Sequence, residues 1–232
     1  VHKYYGDYHA LRPFDPRPIN ADFSERFLDR LRGQFVAANL SKFPQADRGS
    51  VPLIQGCLAV FAQDFKPPRH HRHYMTVPAM IDAAIAARGG RPLYIKPHPN
   101  NSPEELIQLR KYHDPSGGVY LTGASIHDLL AVADCAITLT SAVGFEGFLH
   151  KTPLVLGGQT DFHHNAITLT DPARMHDAIT AALMRDWPHA KYLSWFLRQN
   201  YLADHPNSLP DLLDRVHRKG FAFADAAGRG FY

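Results

Sequence analysis

Residues 128–158 read DLLAVADCAITLTSAVGFEGFLHKTPLVLGG, and this stretch decides the fold. CAITLT (135–140) and PLVLG (153–157) are short, continuous apolar runs, the pattern of strands buried on both faces. Between them the spacing predicts a helix from about Ala142 to His150, and before them another over Ser125–Ala133. Strand, helix and strand at this spacing form a βαβ unit with parallel strands.

The same alternation continues outward. Upstream, CLAVFAQ (57–63) reads as a buried strand, followed by a Pro-rich loop and a helix over Val77–Arg88 that Gly89 and Gly90 stop. RPLYIK (91–96) is the next strand. Ser102 and Glu105 then form a capping box, with Pro103 at the first helical position of SPEELIQLRKYH. GVYLT (118–122) is a further strand. Downstream, AITLT (166–170) is a short one, and Asp171 caps a helix through Met184. The expected fold class is α/β, a Rossmann-like parallel sheet with helices on both faces.

Outside this core the pattern weakens. In residues 1–50 only Ser24–Leu40 has helical periodicity, and Pro13, Pro16, Pro18, Pro44 and Gly49 interrupt the rest. That segment reads as an arm, or as the remnant of an N-terminal domain. Residues 51–190 form the Rossmann-like domain and 191–232 a helical C-terminal region, with helices expected over Tyr192–Leu202 and Leu209–Arg218. The chain begins at Val1 rather than Met, and further sequence is expected upstream.

Composition narrows the function classes. The chain has 232 residues, 45% hydrophobic and 20% charged, enough apolar material for a core without disulfides or metal. Its net charge of +3 is scattered, which suits a small anionic ligand and not nucleic acid. No apolar run reaches the ~18 residues of a membrane span, so a cytoplasmic protein, or one peripheral to the inner membrane, is expected. Cys57 and Cys135 lie in predicted buried strands and are not expected to pair. Of fifteen histidines, His70, His71 and His73 cluster in KPPRHHRH and His163 and His164 are adjacent. The first cluster lacks the Cys or carboxylate partners of a zinc site, so no metal is expected; solvated or phosphate-facing histidines are the default.

Ligands of open α/β sheets bind beyond the carboxyl ends of the strands. Three such ends are unusual here. Lys96-Pro97-His98-Pro99 holds an imidazole in a stiff loop, with Lys96 adding charge; the plain alternative is a turn histidine packed between prolines. Thr140 and Ser141 fall where strand becomes helix, presenting hydroxyls and amides at a helix N-terminus, with Gly144 allowing close approach and Glu146 in the first turn. The alternative is an ordinary cap. Gly157-Gly158 is a glycine-rich loop over a ligand, or a simple turn.

Leu93–Phe162 resembles the C-terminal domain of GT-B glycosyltransferases, most closely the bacterial capsule polysaccharide biosynthesis proteins that include β-Kdo transferases. The resemblance rests on KPHP (96–99), on 128–158, and on the Gln63-Asp64 that closes the first strand. It implies a CMP-activated acidic sugar such as CMP-Kdo as donor, no further cofactor, and a glycan or glycolipid acceptor. By the same resemblance His98 is the candidate catalytic contact to the donor phosphate, Thr140 and Ser141 bind its oxygens, and Glu146 lies near the nucleotide. The chain departs from the family in reading Gly147-Phe148-Leu149 where Glu-Ala-Leu is usual, and in lacking a full N-terminal domain. Asp7, Asp15 and Asp64 are the available carboxylates. The alternative functions are a GT-B-like enzyme with a UDP- or CDP-linked donor, or a non-catalytic module of polysaccharide assembly or export. Tyr192, Trp195, Phe196 and Arg198 form either a membrane-facing stripe or core packing.

Overall fold

The computed structural model describes residues 2–3, 13–65 and 72–202. The predicted helix over Leu209–Arg218, and His70, His71 and Asp7, lie outside them. In chain order the strands are β1 (His2–Lys3), β2 (Cys57–Phe61), β3 (Leu93–Lys96), β4 (Val119–Leu121), β5 (Ala133–Thr138), β6 (Leu154–Leu156), β7 (Ile167–Thr168) and β8 (Tyr201–Leu202). The helices are α1 (Ala21–Leu31), α2 (Val77–Ala87), α3 (Pro103–Arg110), α4 (Ile126–Val132), α5 (Val143–Gly147), α6 (Met175–Met184) and α7 (His189–Asn200).

Six strands form a parallel sheet in the order β4-β3-β2-β5-β6-β7, and β1 pairs with β8 in a separate antiparallel ribbon. Numbered along the chain, the six run 3-2-1-4-5-6, the doubly wound order, which reverses direction between β2 and β5. The chain is thus α/β and Rossmann-like, as its apolar runs predict.

Alternation along the strands divides the core in two. Cys57, Ala59 and Phe61 face a layer holding α1, α4, α5 and α7; Leu58, Val60 and Ala62 face α2, α3 and α6. Full burial of six adjacent residues explains why β2 shows no polar alternation. Both cysteines are free and buried, and burial pushes both thiols up to about 12. Leu28 of α1 is in the same core as Tyr192, Trp195 and Phe196 of α7, so those aromatics are core residues and not a membrane-facing stripe. Arg198 is exposed, its guanidinium 4.7 Å from the Phe23 ring centroid. Among the described residues no helix is long and apolar enough to cross a membrane.

Local signals set most helix ends. Thr76 caps α2 through Ala79 N–H, and Gly89 and Gly90 beyond it take φ of +60° and +81°. Ser102 and Glu105 form the expected reciprocal capping box of α3. Two helices differ from expectation. The one predicted over Ser24–Leu40 starts at Ala21, capped by Asn20, and passes into a π-helical turn over Arg32–Val36. The one predicted over Ala142–His150 is α-helical only over Val143–Gly147 and tightens to a 3-10 turn at Phe148–His150. Gly144 and Gly147 both fall inside that short segment, and glycine costs about 1 kcal/mol per position in a helix.

Candidate functional site

Strand register gathers the candidate residues at one edge. Phe61 is aligned with Lys96 on β3 and with Thr138 on β5, and Thr138 with Leu156 on β6. Two residues beyond each member of that row stand Gln63, His98, Thr140 and Gly158. The sequence therefore places four singled-out positions side by side, centred on the β2/β5 switch point where doubly wound folds open a crevice.

Gln63 spans the switch point. Its Oε1 accepts from Thr140 N–H (2.7 Å), and its Nε2 donates to Thr140 Oγ1 (3.2 Å). His73 Nε2 lies 3.0 Å from the same hydroxyl. The glycine pair after β6 puts His73 there: Tyr74 N–H donates to Gly157 O and Gln159 N–H to Arg72 O, both across the pair. A Cβ on Gly158 would lie 2.6 Å from Thr140 Cγ2 and 2.7 Å from the Arg72 carbonyl oxygen. Gly157 and Gly158 are thus a seat for the His73 strand segment, which is a packing role.

The KPHP loop is braced from behind. His98 N–H donates to Asn101 Oδ1 (2.6 Å), and Asn101 Nδ2 donates to Gln63 O (3.2 Å) and Glu105 Oε2 (2.9 Å). Glu105 also accepts from Phe65 N–H (2.7 Å), tying the β2 and β3 turns together. His98 Nδ1 accepts from Asn100 N–H (3.1 Å). That bond fixes the neutral tautomer, with the proton on Nε2. Among the described residues Nε2–H has no acceptor. Burial lowers the His98 pKa, with Asp64 opposing and Lys42 assisting the shift, so the ring is neutral at neutral pH.

Three further residues stand differently from the expectation. Lys96 donates to Ala124 O (2.6 Å), and burial lowers its pKa; its ammonium is part of the brace between β3 and the turn before α4. Gly144 approaches the sheet and not a ligand: a Cβ there would come 3.0 Å from Leu154 Cδ2 and 3.3 Å from Thr138 Cγ2. Glu146 is partly buried, accepts from Ser41 Oγ (3.1 Å), and is raised by burial to about 7.

The anion donors after β5 also differ. Thr140 N–H is used by Gln63, Val143 N–H bonds Ser141 Oγ (3.4 Å), and Gly144 N–H bonds Ser141 O. Within this turn the N–H groups of Ser141 and Ala142 have no acceptor among the described residues. Available donors are therefore two adjacent turn amides and the Ser141 O–H, whose oxygen only accepts from Val143, beside a braced Thr140; the five-residue α5 adds little dipole.

Of the carboxylates, Asp15 is held by Arg17 (2.8 Å), which takes its pKa down to about 2. Asp64 is exposed and raises the proton affinity of both His73 and His98. Among the described residues, no three His, Cys, Asp or Glu side chains gather where a metal could be held.

Sequence reasoning missed Asn101, the contact of His73, and Ser41–Phe43. The Phe43 ring meets the His98 ring edge-on at 5.2 Å, and Ser41 bonds Glu146.

No protein-family model and no curated protein matches the chain. Solved structures share its fold. The β-Kdo 2,7 transferase KpsC of Thermosulfurimonas dismutans aligns with a TM-score of 0.51 and 16% identity, over 89% of this chain and 64% of that one. The β-Kdo 2,4 transferase KpsC of the same organism aligns at 0.47 and 19% identity, over 74% and 54%. Anabaena HepE in complex with UDP-glucose aligns at 0.48 and 12% identity, over 89% and 55%. The chain spans less than two thirds of the length of each.

Proposed function

We propose that this chain is the donor-binding half of a GT-B-type glycosyltransferase that uses a CMP-activated acidic sugar. What carries the reading is one arrangement. Gln63, His98 and Thr140 share a row at the switch point, leaving His98 Nε2–H and the Ser141 and Ala142 amides without acceptors among the described residues. Fixed donors of this kind suit a phosphate whose charge grows as it departs from a sugar, and each is typically worth about 2.7–4 kcal/mol in a transition state. The fold shared with the β-Kdo 2,7 transferase supports the same reading.

In the proposed reaction the acceptor hydroxyl oxygen bonds the anomeric carbon as the bond from that carbon to the phosphate oxygen breaks, and CMP leaves with the electron pair. His98 Nε2–H and the two amides receive the phosphate oxygens. Thr140, held between Gln63 and His73, fixes the turn that presents the amides. Asp64, within the field of both imidazoles, is the proposed carboxylate to take the acceptor hydroxyl's proton. The acceptor, a glycan or glycolipid, is proposed to meet this site from sequence outside this chain.

Calorimetry with CMP, CDP and UDP tests the reading. CMP is expected to bind more tightly than either diphosphate, because the few free donors match a single phosphate. Preference for UDP or CDP moves the donor class to a diphosphate, and binding of none of the three removes the donor site altogether.

A further inference from the structure

Among the described residues, the basic side chains of the KPHP loop leave the phosphate site without a free cation. His98 is held in its neutral tautomer, and Lys96 is engaged by Ala124 O. A departing phosphate gains most where a positive charge faces it.

The segment after α1 supplies it. Residues 39–49 run across the same edge of the sheet and are fixed there by a series of polar contacts. Asn39, left-handed at φ +53°, accepts from Ser125 Oγ (2.6 Å) and donates to Ala46 O (2.9 Å). Leu40 O lies 2.9 Å from His127 Nε2, and Gln45 Oε1 accepts from Ile126 N–H (3.0 Å). Arg48 pairs with Asp128, which also accepts from Gly49 N–H (2.7 Å). Between these anchors, Ser41 bonds Glu146 on one side of the site and Phe43 abuts His98 on the other. Lys42 stands between them, its ammonium 5.4 Å from the Phe43 ring centroid. It is exposed and has no carboxylate partner among the described residues.

We propose that Ser41–Phe43 forms a wall of the phosphate site and that Lys42 is its cation, with Ser41 and Phe43 as positioning residues. This rests on the donor-site reading and adds a charged ligand to it from a segment outside the strand ends. The Phe43 ring links the two groups, lying 5.4 Å from the Lys42 ammonium and 5.2 Å from the His98 ring, and Lys42 also lowers the proton affinity of His98.

The test titrates the full chain and its Lys42→Ala and Lys42→Arg variants with CMP, cytidine and inorganic phosphate, at low and high salt. Lys42→Ala is expected to weaken CMP about three- to fivefold at low salt, the upper range for an exposed ion pair. The loss should shrink at high salt. Phosphate should weaken in parallel, cytidine should be unchanged, and Lys42→Arg should restore CMP binding. Because Lys42 is exposed, its melting temperature reports that the fold is kept. Equal CMP and phosphate affinities in Lys42→Ala and the parent overturn the assignment while leaving the donor site standing. A parent that binds neither CMP nor phosphate sinks both.

Discussion

The two turns flanking the switch point look alike in sequence, a polar cluster at the end of an apolar strand, yet they offer an anion different things. The turn after β3 offers a side chain. Pro97 and Pro99 stiffen it, Asn101 anchors its backbone, and Asn100 N–H fixes the imidazole so that Nε2–H has no acceptor among the described residues. The turn after β5 offers mainly backbone: the Thr140 hydroxyl is held by Gln63 and His73, and the Ser141 oxygen accepts from Val143 N–H, leaving its O–H as the one side-chain donor. A hydroxyl in a promising position is available to a ligand only when no neighbour has a prior claim on it.

The contrast predicts its largest effect at His98. If the proposed transfer is assayed, His98→Ala is expected to lower it by about 2.7–4 kcal/mol of transition-state free energy, roughly 100- to 1,000-fold. Its melting temperature should barely move. Gln places an amide nitrogen near the position of Nε2 and should recover part of the rate, whereas Asn, which reaches only as far as Nδ1, should not. If Asn rescues as well as Gln, the free nitrogen is misassigned.

Glu146 gives the next effect and explains why a carboxyl is tolerated beside the β5 turn. Its pKa is raised from 4.5 to about 7, so at neutral pH it is substantially protonated and does not repel a phosphate in full. The unfolded chain ionises this group near 4.5 and the fold only near 7. Its contribution to stability is therefore fully present below 4.5, falls as pH rises through the window between those values, and is lost above it. Discounted for partial exposure, the loss is about 2 kcal/mol. His150, His164 and His189, each depressed to about 4 chiefly by burial, work in the opposite direction in an overlapping range, so the parent's own profile mixes all four groups. Subtracting the parent from Glu146→Gln isolates the carboxyl. Denaturant unfolding should show the variant gaining about 2 kcal/mol on the parent between pH 4.5 and 7; a difference independent of pH contradicts the raised pKa.

Legibility in the sequence followed the range of the interactions. The strands were readable because residues such as Leu58, Ala59 and Val60 are buried on both faces, and that requirement is written in consecutive letters. The Ser102–Glu105 box was readable because both partners lie within one turn. His98 was readable because the prolines beside it constrain it locally. Strand order was not, since β2 joins β5 across more than seventy intervening residues. Nor was the claim of His73 on Thr140, which depends on Gly157 and Gly158 letting two backbones touch. Ser41–Phe43 lay in a segment without periodicity, whose order comes from Ser125, His127 and Asp128. The shortness of α5 had a readable signal, the two glycines within it, which the apolar pattern of the stretch outweighed.

The smallest of the three effects tests whether the β5 turn acts through its backbone. Ala142 has φ −60°, already the value that proline imposes, so Ala142→Pro deletes one amide donor with little change in local conformation. Losing one hydrogen bond to a charged phosphate should weaken CMP by about tenfold, or ~1.4 kcal/mol. Thr140→Ala reports the opposite property. Its hydroxyl holds Gln63 and His73 together, so its removal should cost about 1 kcal/mol of folding stability and affect CMP less. Calorimetry and thermal melting on the two variants separate these roles. If Ala142→Pro binds CMP like the parent while Thr140→Ala does not, the turn presents its side chain after all, and the two sides of the switch point work in the same way.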